Sequence, residues 1–156
     1  MVLPAVRRAG ARNSRPRRTL VTVRVMVVDD HMAIRRLLRR VLQEQHPDWE
    51  VCAEAANGAE AVEQFRERAP DLIILDLAMP KMNGLQAARE IRKLKPQTPM
   101  LLLTVQQVSS QLREEAAKAG FRGAVSKNTG SEVVKGLEAL LRNETYFSCD
   151  GPTVAA

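Results

Sequence analysis

Two hydrophobic periods alternate along most of the chain. Short apolar runs typical of buried β-strands are each followed by a longer segment whose apolar residues recur at helical spacing. The predicted strands span residues 23–28, 49–55, 71–75, 100–103 and 123–126, and the predicted helices span about 32–45, 58–68, 85–95, 107–119 and 130–143. Five such units in succession predict an α/β fold, in which helices cover both faces of a doubly wound, five-stranded parallel sheet.

The first predicted helix shows this pattern most clearly. Its apolar face consists of Ile34, Leu37, Leu38, Val41 and Leu42. The opposite face carries Arg35, Arg36, Arg39 and Arg40, which predicts a basic surface turned toward solvent or a partner. In the third helix Leu94 belongs to the apolar face, and in the fifth Leu141 does. A capping box over residues 129–132 (TGSE) is expected to open the fifth helix.

The positive charge of the chain is concentrated at its beginning. The net charge is +6 over 156 residues, and residues 1–20 contain six arginines and no acidic residue. The rest of the chain carries as many acidic as basic side chains. We therefore predict a disordered basic tail over 1–20, a folded domain over 21–143 and a C-terminal tail over 144–156. A nucleic-acid-binding arm, a targeting peptide and a tail without a role remain open for residues 1–20, and the last is favoured.

Composition narrows the classes of function. Aromatic residues make up only 3% of the chain, so a surface that stacks nucleic-acid bases is not expected. The longest apolar runs fall well short of the roughly 20 residues that a membrane span needs. Cys52 and Cys149 match neither a disulfide framework nor a metal motif. These observations favour a protein that acts in the cytoplasm.

Polar side chains stand where four of the predicted strands end. Asp29 and Asp30 follow the first strand, and Asp76, Thr104 and Lys127 follow the third, fourth and fifth. Because the carboxyl ends of parallel strands share one edge of the sheet, these side chains are expected to meet there. Three carboxylates would repel one another unless a divalent cation bound them, and an oxygen-lined site suits Mg²⁺.

The same residues fit phosphoryl transfer to a carboxylate. Asp76 could be the nucleophile, while the cation and Lys127 would neutralise charge on the phosphoryl oxygens and Thr104 would donate a hydrogen bond. Considered on its own strand, Asp76 could equally be a residue that caps the next turn. The presence of four further polar residues at the same edge of the sheet argues against that interpretation. His31 is interpreted as the residue that starts the first helix, not as a ligand or phosphate carrier.

The motifs that carry these residues resemble the receiver domain of two-component response regulators. They are residues 27–31 (VVDDH), 71–84 (DLIILDLAMPKMNG), 103–104 (LT) and 126–127 (SK), and the resemblance covers roughly residues 23–143. It implies a flavodoxin-like (CheY-like) fold with strand order 2-1-3-4-5. It also implies that Asp76 accepts a phosphoryl group from a histidine kinase or phosphotransfer protein. Mg²⁺ would be held by Asp29, Asp30, Asp76 and the backbone carbonyl of Ala78, and Thr104 and Lys127 would bind the phosphoryl group.

Within this family the chain is most similar to receivers of LuxR/NarL-type regulators. Such proteins continue into a helix-turn-helix, whereas this sequence ends at Ala156, which predicts a single-domain receiver or a truncated relative. The family's switch aromatic is replaced by Ala124. A binding module that works without phosphorylation is therefore the alternative.

No enzyme activity is expected beyond self-phosphorylation and slow self-dephosphorylation. A phosphohydrolase is disfavoured because Ala78 stands where such an enzyme would carry a general-acid aspartate. Specific DNA binding is not expected. The sequence leaves the downstream partner and a homodimer open.

Overall fold

A computed structural model describes residues 22–127 and 130–148 of the chain. Within them the strands are β1 Val23–Val28, β2 Trp49–Ala55, β3 Leu72–Asp76, β4 Met100–Thr104, β5 Gly123–Ser126 and β6 Tyr146–Phe147. The helices are α1 Met32–Gln45, α2 Gly58–Arg68, α3 Gly84–Leu94, α4 Ser110–Ala119 and α5 Gly130–Leu141. None of these helices is long and apolar enough to cross a membrane. The predicted basic tail lies outside the described residues.

The strands form one parallel sheet in the order β2-β1-β3-β4-β5-β6. This confirms the flavodoxin-like fold and the predicted order of the first five strands. Strands β3 and β4 are buried at every residue, as expected for central strands covered on both faces by helices.

The prediction of five strands was incomplete, because β6 lies in the segment that we had assigned to the C-terminal tail. Tyr146 and Phe147 pair in parallel with Gly123 and Ala124 at the edge of the sheet. The backbone N–H of Ser148 completes the pairing by donating to the carbonyl of Ala124 at 2.9 Å. A strand of two residues is too short to show a period of two, so the sequence pattern could not reveal it.

The alternation of side chains along each strand divides the core into two layers. One layer packs β3 residues Ile73 and Leu75 against α2, α3 and α4, and the other packs Leu72 and Ile74 against α1 and α5. Successive residues of a strand point to opposite faces of the sheet, which explains the division. The two layers fix the sheet between the helices and leave the carboxyl ends of the strands at one edge.

Some predicted boundaries and faces were wrong. Helix α4 begins at Ser110, three residues later than predicted, because the side chain of Ser109 caps it by accepting from the N–H of Leu112. Leu37, Leu94 and Leu141, which were assigned to apolar inner faces, are 47%, 44% and 41% exposed. Leu94 and Leu141 are the last residues of α3 and α5, where less of the helix is covered by neighbouring elements. The capping box predicted for α5 falls partly outside the described residues.

The basic face of α1 is only partly exposed. Arg36 and Arg40 are exposed, as predicted. The side chain of Arg35 is only 14% exposed, and both Arg35 and Arg39 bind Glu54 on β2. The predicted basic surface, turned toward solvent or a partner, therefore holds for Arg36 and Arg40 but not for Arg35, because the helix lies close enough to β2 for Arg35 and Arg39 to reach its glutamate.

Candidate functional site

Strand register brings the predicted polar residues to one edge of the sheet. Asp76 pairs with Leu103, so Thr104 lies one residue further along β4. Thr104 in turn pairs with Ser126, and the N–H of Lys127 donates to the carbonyl of Thr104 at 2.8 Å. Asp29 follows β1, and its N–H donates to the carbonyl of Ala55 at 3.1 Å. All four side chains therefore begin at the carboxyl ends of neighbouring strands.

Lys127 joins the carboxylates of two different strands. Its Nζ lies 2.7 Å from Oδ2 of Asp29 and 3.0 Å from Oδ1 of Asp76. The Asp29 side chain is fully buried, and those of Asp76 and Lys127 are 4% and 11% exposed. Beyond this contact with Lys127, the buried Oδ2 of Asp29 has no hydrogen-bond partner among the described residues.

The pKa values of Asp76 and Lys127 reflect this environment. Burial raises the pKa of Asp76 to about 6 and the charges of Asp29 and Asp30 add to the effect, while Lys127 opposes it. For Lys127, burial disfavours the ammonium, but the ion pairs with Asp29 and Asp76 outweigh it and raise its pKa. Lys127 is therefore charged at neutral pH, and Asp76 is an ionised carboxylate of unusually high proton affinity.

Asp30 and His31 complete the acidic end of the site. The Nδ1 atom of His31 lies 3.1 Å from Oδ1 of Asp30 and 3.3 Å from Oδ1 of Asp29. His31 occupies the position preceding α1, as predicted, but its side chain does not cap the helix. Although Oδ1 of Asp30 is buried, it accepts no hydrogen bond from the part of the chain that the structure describes.

These residues fit a divalent cation. Three carboxylates face a single ammonium, which leaves an excess of negative charge, and the buried Asp30 oxygen lacks a hydrogen-bond donor. Asp29, Asp30 and His31 could together offer three ligand atoms within 4.8 Å of one another. A hard cation with oxygen ligands would satisfy both the charge and the unused acceptors.

The Thr104 hydroxyl is buried and already oriented. Its Oγ1 accepts a hydrogen bond from the N–H of Gln106 at 3.0 Å, within the loop that leads to α4. Since the oxygen is used as an acceptor, its proton remains available to a ligand. A ligand that recruited this proton would act directly on the loop before α4.

Ala124 lies on β5 three residues before Lys127 and is fully buried. Its neighbour on β6 is Phe147, which packs against the same core layer. The guanidinium of Arg113 on α4 lies over the Phe147 ring, 5.1 Å from its centroid. An aromatic ring therefore stands beside the position where β5 carries only a methyl group, and sequence reasoning missed it because the ring belongs to β6.

The loop after Asp76 is held by close backbone packing. The N–H of Gly84 donates to the carbonyl of Leu77 at 2.9 Å, and a Cβ at Gly84 would lie 2.3 Å from the carbonyl oxygen of Asp76. Asn83 and Gln86 form a capping box at the start of α3. Ala78 lies in this loop and is exposed, and the role of its carbonyl as a ligand stays a prediction.

Residues 25–141 match the family described as the response regulator receiver domain. This match covers most of the chain and includes every strand-end residue of the site. The chain belongs to this family.

Individual relatives agree with this assignment. The receiver is 36% identical to the chemotaxis protein CheY of Thermotoga maritima over 118 residues, which are 75% of this chain and 96% of that protein. It is 34% identical to the transcriptional regulatory protein YdfI of Bacillus subtilis over 128 residues, 81% of this chain. The chain spans only 59% of the length of YdfI.

A solved structure supports the relation to LuxR-type receivers. It is a two-component response regulator of the LuxR family from Aurantimonas sp. SI85-9A1, with 37% identity and a TM-score of 0.75. The similarity covers 80% of this chain and 89% of that one. The sequence-based recognition of a LuxR/NarL-type receiver is confirmed.

Proposed function

We propose that this receiver acts in the cytoplasm as a phosphorylation switch, in which Asp76 accepts a phosphoryl group from a histidine kinase or a phosphotransfer protein. The observation that carries the proposal is the Lys127 ammonium, which lies within 3.0 Å of Asp76 and 2.7 Å of Asp29. In the proposed reaction Asp76 would be the nucleophile, and the buried Lys127 and Asp29 beside it support this role. Membership of the receiver family supports the same reading.

The proposed reaction forms an acyl phosphate. A carboxylate oxygen of Asp76 attacks the phosphorus, the P–N bond to the donor imidazole breaks, and its electron pair leaves with the ring nitrogen. Because the pKa of Asp76 is about 6, the carboxylate is mostly ionised at neutral pH and can attack. Lys127 attracts the phosphoryl oxygens and so stabilises the charge that they carry in the transition state.

We propose that Asp29, Asp30 and Asp76, with the backbone carbonyl of Ala78, hold Mg²⁺ in this reaction. When bound, Mg²⁺ would offset negative charge on the transferring group. The buried, unsatisfied oxygen of Asp30 supports this assignment. Since binding also needs deprotonated carboxylates, cation affinity should fall as the pH drops through the pKa of Asp76.

The change at Asp76 would reach the surface through the loop before α4. Thr104 would donate its hydroxyl proton to a phosphoryl oxygen. Because the oxygen of the same hydroxyl accepts the hydrogen bond from the N–H of Gln106, a movement of Thr104 would move the loop as well. Phosphorylation adds charge and acceptor oxygens at this point, so the loop and α4 would shift to accommodate them. The shifted surface would bind the downstream partner.

Phosphorylation with a small-molecule donor tests the proposal. The protein is incubated with acetyl phosphate and Mg²⁺, and intact mass spectrometry reports addition of one phosphoryl group that hydroxylamine removes. Asp76→Asn should abolish the adduct, whereas Asp71→Asn, an exposed carboxylate just before β3, should keep it. Either an unlabelled wild-type protein or a labelled Asp76→Asn variant would contradict the proposal.

The alternative is a receiver that binds its partner without phosphorylation. The methyl group of Ala124, at the position where the family usually carries an aromatic switch residue, is the observation that favours it. Partner binding that is equal for the wild type, its phosphorylated form and Asp76→Asn would support this alternative. A clear dependence on phosphate would exclude it.

A further inference from the structure

The side chain of Arg35 reaches the backbone of the acidic turn. Its Nη1 donates to the carbonyl oxygen of Asp29 at 2.7 Å, and its Nε donates to Oε1 of Glu54 at 3.0 Å. Only 14% of the side chain is exposed. Because its guanidinium is planar and held by both hydrogen bonds, Arg35 links β2 rigidly to the turn that follows β1.

The carbonyl group that accepts this hydrogen bond lies in the backbone between two of the proposed cation ligands, Asp29 and Asp30. The carbonyl of Asp29 and the N–H of Asp30 belong to one planar peptide group. A hydrogen bond to that oxygen therefore restricts rotation of the plane between the two α-carbons. Because the directions of both side chains depend on this rotation, Arg35 acts on two proposed cation ligands through a single contact.

Two other hydrogen bonds also restrain this turn. The N–H of Asp29 donates to Ala55, and Oδ1 of Asp29 accepts from the N–H of His31 at 2.9 Å. The first holds the start of the turn, and the second closes a ring that includes the Asp29–Asp30 peptide, whereas Arg35 is the side chain that binds the carbonyl oxygen of this peptide directly. Oδ1 of Asp30 accepts no hydrogen bond among the described residues, although Nδ1 of the exposed His31 lies 3.1 Å from it. The direction of that carboxylate therefore depends on its backbone and on this one contact.

Glu54 holds Arg35 in place. Burial raises the pKa of Glu54, but hydrogen bonds from Arg39 and Arg35 outweigh burial and lower it, so Glu54 is ionised at neutral pH. Arg39 binds the same carboxylate through Nε and Nη2, and its side chain is 41% exposed. Arg39 thus resembles Arg35 in type and partner but lies one helical turn further from the acidic turn, which makes it a matched control.

We propose that Arg35, held by Glu54, is a positioning residue that orients the Asp29–Asp30 peptide for binding of a divalent cation. The inference rests on the proposed function, because it assumes that this pocket binds Mg²⁺. Arg35 acts through the backbone and is not a catalytic residue. Groups that orient metal ligands in this way typically change metal affinity by about 10- to 100-fold.

Calorimetric titration of the unphosphorylated protein with MgCl₂ measures the effect directly. The Arg35→Met variant keeps the apolar stem but loses both hydrogen bonds, and we expect its Mg²⁺ dissociation constant to rise about tenfold. Glu54→Gln should give a smaller rise, and Arg39→Met should stay within about twofold of the wild type. Circular dichroism and thermal unfolding without Mg²⁺ establish that each variant is folded.

Phosphorylation by acetyl phosphate gives a second readout. If Arg35 only positions the ligands, the half-saturating Mg²⁺ concentration of Arg35→Met should rise while the rate at saturating Mg²⁺ stays near that of the wild type. A merely destabilised protein would instead lose rate at every Mg²⁺ concentration. That second pattern would overturn the positioning role.

The remaining outcomes separate the two proposals. A folded Arg35→Met protein that binds Mg²⁺ as the wild type does would overturn the inference alone, as would an equal loss in Arg39→Met. A wild-type protein that binds no Mg²⁺ would overturn the proposed function itself. Should Arg35→Met fail to fold, Glu54→Gln decides, since wild-type Mg²⁺ affinity in that variant would contradict the inference.

Discussion

Replacing Asp76 with asparagine should stabilise the fold at the expense of the proposed chemistry. Burial together with the charges of Asp29 and Asp30 raises the pKa of Asp76 from 3.8 to about 6 despite the contact with Lys127. A difference of this size corresponds to about 3 kcal/mol against the ionised carboxylate in the folded state. Asparagine has nearly the same shape and no charge, so it removes that cost.

The ion pair of Asp76 with Lys127 disappears in the variant, but its contribution is already contained in the pKa of about 6. Lys127 keeps Asp29 as a partner at 2.7 Å, so no ammonium is left unpaired. We therefore expect the free energy of unfolding of Asp76→Asn to exceed that of the wild type by about 3 kcal/mol at about pH 8.

The pH dependence has a definite sign. Since the pKa of Asp76 is higher in the folded than in the unfolded state, the folded wild type binds the proton more tightly. Lowering the pH from about 6 toward 3.8 therefore stabilises the wild type relative to the variant. The advantage of Asp76→Asn should shrink across this window and disappear below it.

Urea denaturation of both proteins, followed by circular dichroism at several pH values without divalent cations, measures the difference. Asp71→Asn, which removes an exposed carboxylate just before β3, is the control for the loss of a carboxylate as such. Adding Mg²⁺ should stabilise the wild type more than Asp76→Asn, because only the wild type keeps all three carboxylates. A variant less stable than the wild type at pH 8, or an advantage independent of pH, would refute the reasoning.

Two further predictions concern the surroundings of the site. Gly84→Ala should lower the free energy of unfolding by about 2–3 kcal/mol in urea denaturation, because the new Cβ would lie 2.3 Å from the carbonyl oxygen of Asp76. Gly130→Ala is the control, since its nearest neighbouring atom would be 3.9 Å away, and equal losses would contradict the clash. Burial and the 2.6 Å hydrogen bond to Glu132 raise the pKa of Tyr146 to about 12. Ultraviolet titration of this single tyrosine should show a lower pKa in Glu132→Gln, and an unchanged value would contradict the role of the bond.

Elements with a strong local pattern were predicted well. The bounds of α1, Met32–Gln45, agree with the prediction because its amphipathic spacing persists through four turns. Strands β3 and β4 were recognised from short apolar runs whose every residue is buried. The start of α4 was placed too early, since the sequence before Ser109 does not distinguish a loop from a first helical turn.

Contacts between distant segments were not predictable in the same way. The arginines of α1 look equivalent in sequence, yet Arg35 is largely buried against Glu54 and Asp29 whereas Arg36 is exposed. Which arginine lies inward depends on how closely the helix approaches β2. The pairing of Phe147 with Ala124 likewise depends on where the chain runs after α5.

Local sequence patterns were enough to establish which side chains stand at the ends of the strands and in what order. Parallel strands with right-handed connections must bring these ends to one edge, so Asp29, Asp76, Thr104 and Lys127 could be assigned to one site from local patterns alone. The packing of the elements was needed to show that Lys127 lies between Asp29 and Asp76 and that Arg35 binds the carbonyl of the peptide before Asp30. Side-chain contacts of this kind depend on distances between elements, which no local period encodes.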